Sequence, residues 1–210
     1  MANELTMAMA DLDEGKVQEL VKAGLAGGVD PSALLDDCRE GMTLIGKRFE
    51  TGEFFLSDLI MAGEIFKSAA ADLTAHGGSS GPSKGKVVMG TVKGDIHDIG
   101  KDIVVTMLKG ANFEVTDLGV DVPPAKFVEA VKATGAPVVG LSGLLTISFD
   151  PMKETVAALK AAGLPVKVMI GGGPITESVR EYVGADALGA DAQVAVALAD
   201  GWIVAQEVAR

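Results

Sequence analysis

Along residues 1–75 the apolar positions recur at the spacing of helix faces. Val17, Leu20, Val21 and Leu25 form one stripe, with Asp11 and Glu14 as the capping pair ahead of it. Asp30 followed by Pro31 makes a cap and first position for a second helix. Its Leu35, Cys38, Met42, Ile45 and Phe49 step by three and four along one face. Leu59, Ile60, Gly63, Phe66, Ala70 and Leu73 mark a third helix. These segments predict a small helix bundle. The run GGSSGPSKG, residues 77–85, has no apolar anchor and predicts a flexible linker.

Beyond the linker the rhythm alternates. KVVMGTV (86–92), FEVTDLG (113–119), APVVGLS (136–142) and VKVMIGG (166–172) read as strands, with a weak one at Asp186–Leu188. Between them lie helical segments: 99–111 with Ile99, Ile103, Met107 and Ala111 on one face, and Lys126–Ala133 after Pro123–Pro124. Further helices are one capped by Asp150 and running to Ala162, one capped by Thr176, and a last from about Asp191. Alternating strands and helices predict a parallel sheet with helices on both faces.

The composition fits a globule with a real core: 48% hydrophobic and 22% charged residues over 210 positions. A net charge of −11 excludes a broad basic nucleic-acid surface and a polybasic membrane anchor. No apolar run is long enough for a membrane span. The opening MANELTMAMADLDEG has no basic segment before an apolar core, so no secretory signal is expected and the cytoplasm is the expected location. The single cysteine, Cys38, excludes an intrachain disulfide and reads as a small core residue rather than a reactive thiol.

In parallel sheets ligands gather at the carboxyl ends of the strands. There the chain places Gly94-Asp95-Ile96-His97-Asp98-Ile99-Gly100 after the first strand, Ser142-Gly143-Leu144-Leu145-Thr146-Ile147-Ser148 after the third, and Gly171-Gly172-Gly173 after the fourth. Asp98 also reads as a cap for the helix starting at Ile99. Glycines at such a place let a ligand approach the backbone closely. No phosphate-binding loop, dinucleotide fingerprint or nucleophile elbow is present. Too few ligands cluster for a zinc site. A neutral imidazole at His97, binding a metal that brings its other ligands along, fits better, with Asp95 accepting a hydrogen bond from the far ring nitrogen.

The set GDIHDIG, then Ser142-x-Leu144, then Gly171-Gly172, resembles the cobalamin-binding signature D-x-H-x-x-G … S-x-L … G-G. The gaps, 41 residues from Gly100 to Ser142 and 26 from Leu144 to Gly171, are similar to those of the corrinoid modules of methionine synthase and anaerobic methyltransferases. GMTLIGKRFETGEFFLSDLIMAGEIF (41–66) likewise resembles the helical cap preceding those modules. The resemblance spans nearly the whole chain. It implies an α plus α/β fold: a four-helix-type cap (1–76), a linker (77–85) and a Rossmann-like, flavodoxin-like cobalamin domain (86–210).

The same resemblance implies the roles. His97 would replace the cofactor's benzimidazole below cobalt, Asp95 would hold its far nitrogen, and Ser148 would hydrogen-bond that aspartate. The nucleotide tail would pass Gly94, Ser142, Leu144, Thr146 and Gly171–Gly173. Ile96, Asp98, Ile99 and Gly100 would complete the cofactor-binding stretch. Phe55 and Leu59 would cover the upper face, and the linker would be the hinge that exposes it. The implied activity is a methyl carrier, not catalytic alone, cycling between cobalt(I) and methyl-cobalt(III). The implied partners are a substrate:corrinoid methyltransferase, a second methyltransferase passing the methyl to tetrahydrofolate or a thiol, and a reductive activating protein. A cobalamin-dependent sensor and an adenosylcobalamin isomerase subunit are the alternatives. The cap argues against the isomerase, and the lack of an output segment against the sensor.

Overall fold

The computed structural model describes residues 3–78 and 81–208. Ser79 and Ser80, inside the expected linker, lie outside the described residues. The chain forms two compact units. The first runs to Ser83; the second begins at Lys84 and, Lys109–Asn112 aside, holds the remainder. Among the described residues no helix is long and apolar enough to cross a membrane.

The first unit contains α1 (Glu4–Ala10), α2 (Glu14–Ala26), α3 (Pro31–Glu50) and α4 (Leu56–Ala75). The expected spacing finds the buried face of α3: Leu35, Cys38, Met42 and Ile45 are all buried. Burial pushes the Cys38 thiol up to about 12, as befits a core residue. α4 turns a slightly different face inward, burying Leu59, Ala62, Ile65, Phe66, Ala69 and Leu73 while Ile60 stays exposed.

Helix α1 was not expected from the spacing. It packs against α3 so closely, over the bare Gly41, that a Cβ on that glycine would stand 2.6 Å from Met9 Cβ. Arg48, near the end of α3, donates to Ala10 O at 2.6 Å and to Asp11 at 2.9 Å, placing a cation at the α1 C-terminus. Asp11 thereby ends α1, and the cap of α2 falls to Asp13, whose carboxylate accepts Lys16 N–H at 2.9 Å. The expected Asp11–Glu14 capping pair is therefore displaced. Asp30 caps α3 as expected, accepting Ser32 N–H with Pro31 in the first turn.

The second unit is a five-stranded, wholly parallel sheet. In chain order its elements are β1 (Lys86–Thr91), α5 (Ile99–Gly110), β2 (Glu114–Asp117), α6 (Pro124–Thr134), β3 (Val138–Ser142), α7 (Phe149–Ala161), β4 (Lys167–Gly171), α8 (Glu177–Val183), β5 (Ala187–Leu188) and α9 (Ala192–Val208). The strand order is β2-β1-β3-β4-β5, the flavodoxin-like arrangement. Val88 pairs in register with Val139, and Val139 with Val168. On one face Val88, Val139, Leu141 and Ile170 bury Phe127, Val131, Met152, Val156 and Leu159 of α6 and α7. By the period of two, Val87, Met89, Val138 and Met169 bury the other face, where α9 packs on β3 and β4. The short outer strands β2 and β5 limit the open edges.

Candidate functional site

The chain order reverses between β1 and β3, which is the position where parallel sheets of this kind bind ligands at the strands' carboxyl ends. The connection after β1, residues 92–98, carries Gly94, Asp95, Ile96, His97 and Asp98. Ile99 and Gly100 begin α5. The connection after β3, residues 143–148, carries Leu144, Thr146 and Ser148, and Ser142 closes β3 itself. Thr91, Ser142 and Gly171 stand in register across the three central strands.

Asp95 is the centre of the assembly. It is 1% exposed, although it lies in a loop. Its Oδ1 accepts His97 N–H at 3.0 Å and faces His97 Nδ1 at 2.7 Å. Its Oδ2 accepts the Ser148 hydroxyl at 2.6 Å, Leu144 N–H at 2.7 Å and Leu145 N–H at 3.3 Å. Burial alone would raise its pKa. The Ser148 hydroxyl, the His97 amide and imidazole and the Leu144 amide outweigh burial and hold the carboxyl well below the usual range. An ionised carboxylate can only accept, so His97 Nδ1 carries the proton and donates it. Nε2 is then the ring nitrogen left to face a ligand.

His97 is anchored on one side only. Its carbonyl accepts the buried Thr91 hydroxyl at 2.9 Å, and Nδ1 is spent on Asp95. The ring is otherwise 46% exposed, with Nε2 unpartnered among the described residues. No group of three or more His, Cys, Asp or Glu among the described residues is placed to hold a metal ion, so His97 stands as a single available nitrogen.

Ser148 stands at the N-cap position of α7 but does not cap it, because its hydroxyl is given to Asp95. The helix therefore starts at Phe149, and Asp150, expected as its cap, falls in the first turn. Thr176 does occupy the N-cap position of α8, yet its hydroxyl bonds Ser178 rather than a helix N–H. Asp98 precedes α5, and its carbonyl accepts Asp102 N–H at 2.8 Å.

Apolar side chains surround this polar centre and face solvent. Ile96 is 73% exposed and Ile99 69%, and Leu144, Leu145 and Ile147 are exposed as well. Ile99 was expected in the core stripe of α5, but only Ile103 and Met107 of that stripe are buried. Gly171, Gly172 and Gly173 follow β4. Gly172, at φ +143°, lies so close to the Gly143 carbonyl that no Cβ fits. The exposed Gly94, Thr146, Gly172 and Gly173, with the half-buried Ser142 and Gly171, leave open backbone along the sheet edge. In the first unit, Phe55 is exposed just before α4, and its N–H is accepted by Asp58 at 2.7 Å. Leu59 is buried among the helices of that unit.

The connection after β2, residues 118–123, was not expected to contribute, yet Asp121 accepts Gly94 N–H at 2.7 Å. Its neighbour relation to the β1 loop follows from the strand order β2-β1-β3, which spacing alone does not reveal.

Comparison with known proteins gives two family matches, both described as B12 binding domain, over residues 1–73 and 85–199. The dimethylamine corrinoid protein of Methanosarcina barkeri is 39% identical over 205 residues, covering 95% of each chain. A cobalamin-binding protein of known structure from Desulfitobacterium hafniense is 43% identical, with a TM-score of 0.76, covering 96% of this chain and 98% of that one. The methanol:cobalamin methyltransferase complex of Methanosarcina barkeri contains a chain 28% identical, with a TM-score of 0.84, covering 95% of this chain and 78% of that one.

Proposed function

The chain belongs to the B12 binding domain family, with cobalamin as its cofactor, and on that premise we propose that it is a methyl carrier holding cobalamin base-off and His-on. One observation carries the ligand assignment: His97 offers a half-exposed Nε2 while a buried, ionised Asp95 fixes the proton on Nδ1. That arrangement suits a single imidazole donating to a metal that arrives with its own equatorial ligands. The exposed apolar residues Ile96, Ile99, Leu144, Leu145 and Ile147 suit the edge of a large planar macrocycle. The open backbone of Gly94, Ser142, Thr146 and Gly171–Gly173 suits the displaced nucleotide tail.

When bound, the corrinoid supplies a cobalt centre that accepts and gives up a methyl group. His97 would hold the metal through Nε2. Asp95 orients the ring and shares the Nδ1 proton, so the ligand's basicity can follow the demand placed on Nε2. Ser148 and Leu144 N–H keep Asp95 ionised and in place. Phe55, exposed on the helical unit, would be available to cover the upper face, whereas Leu59 is spent in that unit's own core. In this reading residues 1–76 act as the cap, 77–85 as the linker and 86–210 as the cobalamin domain.

In that reading a substrate-specific methyltransferase would load the carrier, a second methyltransferase passing the methyl to tetrahydrofolate or a thiol would unload it, and a reductive activating protein would serve as the third partner. The likeness to a chain of the methanol complex, and to a relative named for dimethylamine, supports a methyltransferase partner. The test is reconstitution with methylcobalamin and with adenosylcobalamin, comparing wild type with His97→Ala. The expected result is retention of methylcobalamin with the visible spectrum of a nitrogen-ligated corrinoid, which shifts to the base-off spectrum in His97→Ala. Unchanged affinity and spectrum in the variant would overturn the ligand assignment. Selective retention of adenosylcobalamin would move the reading to an isomerase subunit or sensor.

A further inference from the structure

We propose that Asp121 is a positioning residue for the His97 centre, clamping the backbone on both sides of Asp95; this rests on the reading of His97 as the cobalt ligand. The segment after β2 runs beside the extension of β1 like a rail. Leu118 N–H donates to Met89 O at 2.8 Å, Thr91 N–H to Gly119 O at 2.9 Å, and Val122 N–H to Thr91 O at 3.0 Å. Val92 and Val122 form an isolated parallel bridge.

At the end of this rail Asp121 makes two contacts with the β1 loop. Its carboxylate accepts Gly94 N–H at 2.7 Å, and its own N–H donates to Asp95 O at 2.9 Å. The Gly94 N–H and the Asp95 carbonyl are thus held by one residue. With the Gly94–Asp95 segment fixed at both ends, the Asp95 carboxylate can serve His97 on one oxygen and Ser148 on the other.

The backbone conformations fit a clamp. Asp121 has φ +53° and Gly94 φ +83°, so both sides of the contact use the left-handed region. A non-glycine residue there is strained unless its surroundings hold it, and aspartate and asparagine tolerate the region best. Asp121 is exposed, so its carboxylate is not confined by burial. It points its acceptor at Gly94 without any packing need to do so.

The test uses the full chain with Asp121→Ala, Asp121→Gly, Asp121→Asn and, as control, His97→Ala. Hydroxocobalamin affinity is read by titration, and amide exchange at Gly94 is read in the cofactor-free protein. Asparagine keeps both the acceptor and the backbone preference, so Asp121→Asn stays close to wild type on both readouts. Alanine and glycine lose the acceptor; each accelerates exchange at Gly94 and weakens binding by about 5- to 30-fold.

Wild-type affinity in Asp121→Gly would overturn the proposal, since glycine keeps the backbone conformation and the N–H bond to Asp95 and removes only the carboxylate half of the clamp. So would unprotected Gly94 in the wild type. If His97→Ala alone binds like wild type, the cobalt-ligand reading fails, and Gly94 exchange still decides whether the clamp exists.

Discussion

Asp95 and Lys101 lie close together in the chain, both nearly sealed from solvent, and they are satisfied in opposite ways. Lys101, in the first turns of α5, meets Asp102 at 2.6 Å and Asp117, at the end of β2, at 2.6 Å. Burial lowers its pKa, but the two carboxylates outweigh burial and raise it, so its charge is permanent. Asp95 meets no permanent cation. Its charge is held by two hydrogen bonds from the 143–148 loop, a longer third, and two from His97. A salt-locked lysine pins a helix to a strand. A carboxylate held by neutral donors and an imidazole can respond when the far side of that imidazole takes a ligand. The first is architecture and the second is a site, though both are buried charges.

The difference can be broken from either end. Lys101→Ala should have the larger effect on stability, a loss of about 3 kcal/mol, because it removes both the packing of a buried stem and the cation that joins Asp102 to the part-buried Asp117. Urea unfolding measures it. The same variant should leave the His97-dependent cofactor spectrum unchanged; a spectral change would mean the seam and the site are one unit.

Ser148→Ala should cost less, about 2 kcal/mol at neutral pH, the loss of a hydrogen bond to a charged acceptor. Its signature is in the pH dependence. Asp95 has its folded pKa below the unfolded value of about 4. The stability it contributes is therefore present above about pH 4 and lost as the pH falls below that. Ser148→Ala brings the folded pKa back toward the unfolded one, so the penalty shrinks once the pH falls below the variant's folded-state value. The direct reading is the titration of the Asp95 carboxyl in the two folded proteins: a curve unmoved by Ser148→Ala would mean that Ser148 acts by packing alone.

Some of this molecule was open to reading from its residues. The face of α3 followed from Leu35, Cys38, Met42 and Ile45, because long apolar side chains at steps of three and four have few other uses. Asp95, His97 and Ser148 were expected near one another, and the fold brings them into direct contact. Helix α1 escaped because its buried residues are mostly small, and small residues carry a weak periodic signal. Ile99 matched the core stripe of α5 yet faces solvent, since position on a helix face says nothing about where the neighbouring layer ends. The caps of α2 and α7 were misplaced for tertiary reasons: Asp11 was taken up by the end of α1, and Ser148 gives its hydroxyl to Asp95. Asp121 was hidden for the same kind of reason, since its contact with Gly94 depends on which strand lies beside which.

The most direct measurement is electron paramagnetic resonance of the protein reconstituted with cob(II)alamin, with natural and with nitrogen-15-labelled histidine. If His97 Nε2 is the lower ligand, labelling converts the nitrogen triplet splitting to a doublet, and His97→Ala abolishes the change. A triplet that persists through labelling would mean the cofactor's own base remains bound, and the account built on the Asp95–His97 pair would be wrong.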